Sequence, residues 1–224
     1  MEILKEISNV MAAKHFSLPV IFDLVAVFVF GITGALAAVY RGYDFIGLFA
    51  LAFVTGVGGG LIRDSVFIQQ GPPAVTTDSR YFIAILLSGI VGFLFHKRKR
   101  HIKKIIAFFD AIGLGTYAVV GVQKALAASL SVPASIMVGI INAAGGGLLR
   151  DILVREEPLL FKPGQLYVLV AFAGCALFIL LAVYSGVKAE LAAIVTIVFT
   201  FVLRVLAIKF NWSTKPLYRS KGEE

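Results

Sequence analysis

Almost the whole of this 224-residue chain is a succession of apolar segments of membrane-crossing length, and that succession constrains the fold more than any motif does. A helix needs about 20 apolar residues to cross a hydrocarbon core of about 30 Å. Segments near that length run at about 19–40, 45–68, 81–95, 105–123, 132–149, 166–184 and 189–208. In lipid each must satisfy its own backbone donors and acceptors, which makes each one a helix. Composition agrees, with 59% hydrophobic and only 15% charged residues, a balance foreign to a soluble globular chain. The expectation is an all-α membrane protein: one transmembrane domain over residues 1–224, with seven transmembrane helices. The connections are short, so any function sits within the bundle or at its two surfaces.

A net charge of +8 would suggest nucleic acid as a partner in a soluble protein. Here the basic residues gather in alternate connections. HKRKRHIKK at 96–104, Arg41, Arg150, Arg155 and Lys162, and the terminal Arg204, Lys209, Lys215, Arg219 and Lys221 make fifteen on one side. Lys5, Lys14, Arg63, Arg80, Lys124 and Lys188 make six on the other. Positive residues mark the cytoplasmic side, so the N-terminus is expected outside and the C-terminus in the cytoplasm, as seven spans require. The basic run then reads as a topogenic loop beside anionic lipid, and nucleic acid is excluded as a partner. Cys175 stands alone and carries no redox signal.

Within this apolar background two stretches stand out: GVGGGLIRD at 56–64 and AAGGGLLRD at 143–151. Three glycines inside a helix cost roughly 3 kcal/mol relative to alanines. Arginine and aspartate are the residues that lipid tolerates least, so such a pair at membrane depth marks a functional site by default. A shift of 87 residues superimposes the two motifs and also pairs Phe22-Asp23 with Phe109-Asp110, Gly34 with Gly121 and Ala38 with Ala125. After a one-residue gap Tyr81 falls on Tyr167. The chain thus reads as two three-helix repeats, 18–98 and 105–185, followed by one extra helix at 188–209. Three is an odd number, so the second repeat enters the membrane from the opposite side and the repeats are inverted.

Inverted repeats with interrupted helices near the midplane point to a substrate or ion path. Packing alone would use one face of a helix, as Gly56 and Gly60 with Gly31 and Gly34 could do. Three consecutive glycines span about 300° of the circumference, which favours a bend or break at Gly58, Gly59 and Gly60 and at Gly145, Gly146 and Gly147. Arg63 and Asp64 point about 100° apart, as do Arg150 and Asp151, and are poorly placed to neutralise each other. Cross-pairing between the motifs would have to bridge roughly 12 Å along the membrane normal, so one Arg-Asp set is expected at each mouth of a glycine-lined constriction. Asp23 and Asp110 lie within the first turns of their spans, where a carboxylate meets a helix N-terminus favourably; capping and a place in the path are both open. Thr55 and Asn142 are further candidates to line a pore, together with Thr33, Thr116 and Ser135, although single Ser and Thr in such helices commonly bond their own backbone.

No catalytic constellation emerges. His15, His96 and His101 lack metal-ligand spacing, and the glycine run lacks the lysine of a phosphate loop, so neither an enzyme nor a cofactor is expected. Two GGGxxRD motifs, one per three-helix repeat, plus a seventh helix over about residues 18–208, resemble the trimeric intracellular cation (TRIC) channel family. The resemblance implies a homotrimer with a pore in each protomer, second and fifth helices bent at the glycine triplets, and passage of K⁺ and Na⁺. It also implies that the basic cytoplasmic connections hold anionic lipid headgroups, and the compact loops resemble a prokaryotic, plasma-membrane member. Arg63 and Arg150 would then be gate or latch residues and the aspartates the cation-attracting groups. Some prokaryotic relatives are suspected of moving small solutes such as glycine, so a transporter is the alternative.

Overall fold

A computed structural model describes residues 17–95, 101–162 and 166–212; the HKRKR run at 96–100, His15 and the terminal Lys215, Arg219 and Lys221 lie outside them. Helices α1 (Ile21–Arg41), α2 (Phe45–Ile62), α3 (Ser79–Leu94), α4 (Ile102–Ala127), α5 (Val132–Leu153), α6 (Tyr167–Ile179) and α7 (Ala189–Lys209) follow in order, and one short turn covers Ala74–Thr77. Two helices end in π-helical turns, α2 through Arg63–Ile68 and α6 through Leu180–Tyr184. Counting those turns, six of the helices are long and apolar enough to cross a membrane, and the 16-residue α3 is a shorter apolar helix. At about 1.5 Å per residue α3 reaches roughly 24 Å, short of a full hydrocarbon core.

Local chemistry sets the helix ends. Asp44 accepts a hydrogen bond from Gly47 N at 2.8 Å to open α2, and Asp78 accepts one from Arg80 N at 2.9 Å to open α3. Gly42 closes α1 in the left-handed conformation at φ 77°, which only glycine adopts freely.

The packing follows the repeat. Helices α1, α2 and α3 pack on one another as α4, α5 and α6 do, while α1 meets α4 and α2 meets α5 across the middle. At the far end of that contact Tyr43 Oη, beside the start of α2, donates to Leu153 O at the end of α5, so these two helices run antiparallel. Phe30 on α1 and Tyr117 on α4, which fall on one another in the 87-residue register, stack with ring centroids 5.2 Å apart at the centre of the bundle. Helix α7 has no counterpart and lies against α4 and α6.

The glycine triplets do not break their helices. Helix α2 runs through Gly58–Gly60 and α5 through Gly145–Gly147, and the irregular turn of the second span begins only at Arg63. The reason is that each glycine answers a different neighbour. A Cβ on Gly59 would collide with the carbonyl oxygen of Asn142, and one on Gly146 with the carbonyl oxygen of Thr55. A Cβ on Gly58 would meet Leu149 Cδ1, and one on Gly145 would meet Ile62 Cδ1 at 3.4 Å. Gly60 and Gly147 leave room for the guanidinium groups of Arg63 and Arg150, whose Nη2 atoms lie 3.6 and 3.7 Å from the missing Cβ positions. Each of these contacts has its counterpart 87 residues away. Three faces are used, so a wide glycine arc marks close packing in three directions rather than an unwound segment.

Replacing Gly146 with alanine should push α2 and α5 apart and cost about 1–3 kcal/mol, as overpacking of a tight core does. Gly60→Ala should be close to neutral, since its side chain would make ordinary contact only. Thermal unfolding of the detergent-solubilised variants checks the contrast; equal losses at the two positions would remove the carbonyl contact as the cause.

Candidate functional site: two buried ion clusters

Arg63 and Arg150 are 1% and 3% exposed, and each is the centre of a cluster built on the same plan. Arg63 donates from Nε to Asp64 Oδ1 at 2.7 Å and from Nη2 to Asp64 Oδ2 at 3.0 Å. Its Nη1 and Nη2 reach Asp23 Oδ1 and Oδ2 at 3.5 and 3.3 Å, and Nη1 also reaches Asn142 Oδ1 at 3.4 Å. Arg150 donates from Nε to Asp151 Oδ1 at 2.9 Å, and from Nη1 to Asp110 Oδ1 at 3.2 Å and Thr33 Oγ1 at 2.9 Å.

The neighbouring aspartate is therefore a partner of its arginine, contrary to the expectation from the 100° spacing. The arginine side chain is long enough to fold back along the helix, and its fork-shaped guanidinium can hold one carboxylate through Nε while the terminal nitrogens face another. Each arginine also reaches back to the aspartate forty residues earlier in its own repeat, Asp23 or Asp110. No cross-pair links the two motifs in the described residues, as the geometry of inversion requires.

Asp23 sits in the first turn of α1 yet serves as a hub rather than a cap, because its Oδ2 also receives Tyr81 Oη at 2.8 Å and Lys124 Nζ at 2.7 Å. Asp110 is not in the first two turns of its helix. Helix α4 starts at Ile102, since Lys103 and Lys104 at its entry are good helix formers, and this places the aspartate more than two turns inside. Asn142 is fully buried and donates from Nδ2 to Tyr117 O at 2.7 Å, while Tyr117 Oη donates to Gly56 O. Its counterpart Thr55 is fully buried as well, and its hydroxyl has no hydrogen-bond partner among the described residues. Thr33 and Thr116 bond their own helices, to Phe30 O at 2.7 Å and Ile112 O at 2.9 Å.

Thus the structure brings Arg63, Asp64, Asp23 and Asn142 together, and separately Arg150, Asp151 and Asp110, with the glycine triplets packed between α2 and α5. Thr33, one of the polar candidates in the sequence, joins the second cluster, whereas sequence reasoning missed Lys124, Tyr81 and Tyr117 as members of the first and Tyr167 beside the second. The pairing of Tyr81 with Tyr167 in the repeat register was the signal that could have found two of them. With Asp23 and Asp64 facing Arg63 and Lys124, the first cluster is formally neutral, which is the condition for keeping charges buried.

The surroundings of the clusters differ. A cleft of about 260 Å³ opens beside the second, lined by Arg41, Lys103, Arg150, Lys162 and Arg204 together with Asp151, Glu156 and Glu157. The space beside the first, bounded by Asp23, Arg63, Asp64, Tyr81 and Tyr117, is only about 10 Å³, barely enough for one water. Among the described residues no group of His, Cys, Asp and Glu could hold a metal ion.

Removing the Asp23 carboxylate should strand Arg63 and Lys124 and cost about 3–5 kcal/mol, the usual penalty for breaking a buried ion pair from one side. Tyr81→Phe should cost about 2 kcal/mol, the worth of one hydrogen bond to a charged acceptor. Chemical denaturation in micelles ranks them; a Tyr81 effect as large as that of Asp23→Ala would contradict the hub.

Comparison with known proteins places this geometry in a family. The family model described as Glycine transporter matches residues 20–97 and again 107–183. The chain is 35% identical over 161 residues to a UPF0126 membrane protein of Deinococcus radiodurans, covering 71% of this chain and 74% of that one. Among solved structures it is similar to the TRIC trimeric intracellular cation channel orthologue from Rhodobacter sphaeroides, with TM-score 0.79 and 31% identity over 85% of this chain and 97% of that one. A second structure, solved for conductance through TRIC cation channels, matches with TM-score 0.74 and 34% identity over 91% of this chain and 98% of the other.

Proposed function

The chain belongs to the Glycine transporter family and shares the fold of the TRIC channels, and from that membership we propose that it is a cation channel passing K⁺ and Na⁺ through each protomer of a homotrimer. It is a multi-pass membrane protein and not an enzyme. The proposed path follows the contact between α2 and α5, with Arg63 and Asp64 at one mouth and Arg150 and Asp151 at the other. The close approach of α2 and α5 at Gly59 and Gly146 supports reading this conformer as the closed one. The observation that carries the reading is the pair of buried Arg-Asp clusters, one on each side of that contact.

A bare arginine in a cation path would repel the permeant ion. Here each guanidinium is held by two carboxylates, so its charge is answered while the path is closed. Withdrawal of an arginine would uncover Asp23 and Asp64, or Asp110 and Asp151, as cation-attracting groups. This supports a latch role for Arg63 and Arg150. The repeats are taken as 18–98 and 105–185 with the seventh helix at 188–209. The basic side is taken as cytoplasmic, with the N-terminus outside the cell membrane, and the cleft carrying Arg41, Lys103 and Lys162 suits an anionic lipid headgroup.

The wording of the family description is what a second reading rests on, a secondary transporter of a small solute such as glycine. Purified protein in a planar bilayer under a KCl gradient separates the two. The channel shows unitary current steps that reverse toward the K⁺ equilibrium potential. Reversal toward the chloride potential would sink cation selectivity, and saturable uptake of labelled glycine into proteoliposomes without unitary currents would select the transporter.

A further inference from the structure

The two clusters share a plan but close differently. In the first, Asp23 Oδ2 is met by the Tyr81 hydroxyl and by the Lys124 ammonium. In the 87-residue register Lys124 falls on Ala37, so the second repeat's cluster has no lysine in that place. Its aspartate Asp110, 1% exposed, engages Arg150 through Oδ1, while Oδ2 has no hydrogen-bond partner among the described residues. The hydroxyl of Tyr167, the counterpart of Tyr81, is buried and likewise without one. Both groups border one spot, since Asp110 Oδ1 and Tyr167 Oη each lie 3.6 Å from where a Cβ on Gly147 would stand. Among the described residues Asp110 and Asp151 form ion pairs with Arg150 and no other cation, which leaves the paired groups one positive charge short of the balance that buried charges need.

A second cation is close by. Arg204 is 2% exposed, its guanidinium stacks 4.7 Å from the centre of the Tyr167 ring, and it lines the same cleft as Arg150 and Asp151. It is carried by α7, the helix that has no counterpart in the repeat. We propose that Arg204 is the second cluster's equivalent of Lys124: a buried cation, delivered by the seventh helix instead of by the repeat, that balances Asp110 and fixes Tyr167 beside it. Arg204 is thus a positioning residue, and α7 completes the site as well as packing on α4 and α6. A guanidinium suits this place better than an ammonium, because its planar face can lie on the tyrosine ring while its edge serves acceptors.

The gating consequence rests on reading the clusters as the mouths of a cation path, whereas the charge balance is tested without conduction. Arg204→Gln should lower the thermal unfolding midpoint of the detergent-solubilised protein by about 5 °C. The double variant D110N/R204Q, with both charges neutralised, should recover most of that loss, and Arg204→Lys should keep most of the midpoint. If Arg204→Gln does not accumulate, the double variant should, with a midpoint near that of the parent. A double variant no more stable than Arg204→Gln, or a single variant with an unchanged midpoint, would overturn the assignment. In bilayers Arg204→Gln should change open probability with the reversal potential kept. If the parent protein carries no cation current, the channel reading falls while the melting comparison still decides the role of Arg204.

Discussion

Backbone meets backbone between α2 and α5, and the rest of the bundle is arranged around that approach. At Gly59 and Gly146 each helix presses against a carbonyl oxygen of the other, from Asn142 and Thr55. No side chain fits between, so the contact needs glycine on both helices at matching depth, and an inverted duplication supplies both at once. Contacts of Cα–H with carbonyl oxygen and dense van der Waals packing hold such a seam, because lipid offers no hydrophobic drive between helices. The flanking glycines then make space for an aliphatic side chain on one side and a guanidinium on the other.

Burying two arginines at this seam sets the second requirement. Each must bring its own counter-charges, and the chain meets this with one aspartate next in sequence and one from the first helix of the same repeat. The cluster thus ties α1 to α2 and α4 to α5 near opposite ends of the bundle. Lys124 extends the first cluster across the repeats to α4. Ala37 stands in the matching place of the second repeat's cluster, so this link has no counterpart there and the two mouths of the proposed path differ chemically.

Much of this arrangement could be read from the sequence, because it rests on spacing. The apolar period placed the second span at 45–68 and the sixth at about 166–184, although both finish in π-helical turns that hydropathy cannot distinguish. The 87-residue register pairs Asp23 with Asp110 and, after a one-residue gap, Tyr81 with Tyr167 from spacing alone. The glycines misled for a physical reason: helix propensity penalises them locally, and only the neighbour's carbonyl, some eighty residues away, shows why the helix tolerates them. Adjacent Arg and Asp leave the helix about 100° apart, and only the reach of the arginine side chain lets them pair. Lys124 and Arg204 count as topogenic charges by position, and the inward placement of both depends on neighbours that no local pattern announces.

In the proposed channel the seam between α2 and α5 is the closed state of the conduction path. A reversible lock at that seam tests it most directly. Leu149 Cδ1 lies against the position of a Gly58 Cβ, so a G58C/L149C pair in a Cys175→Ser background can be oxidised to join the two helices. Single-channel recording before and after oxidation should show K⁺ current lost when the disulfide forms and restored by a reductant. Undiminished current through fully cross-linked protein would contradict the account and place the ion path elsewhere.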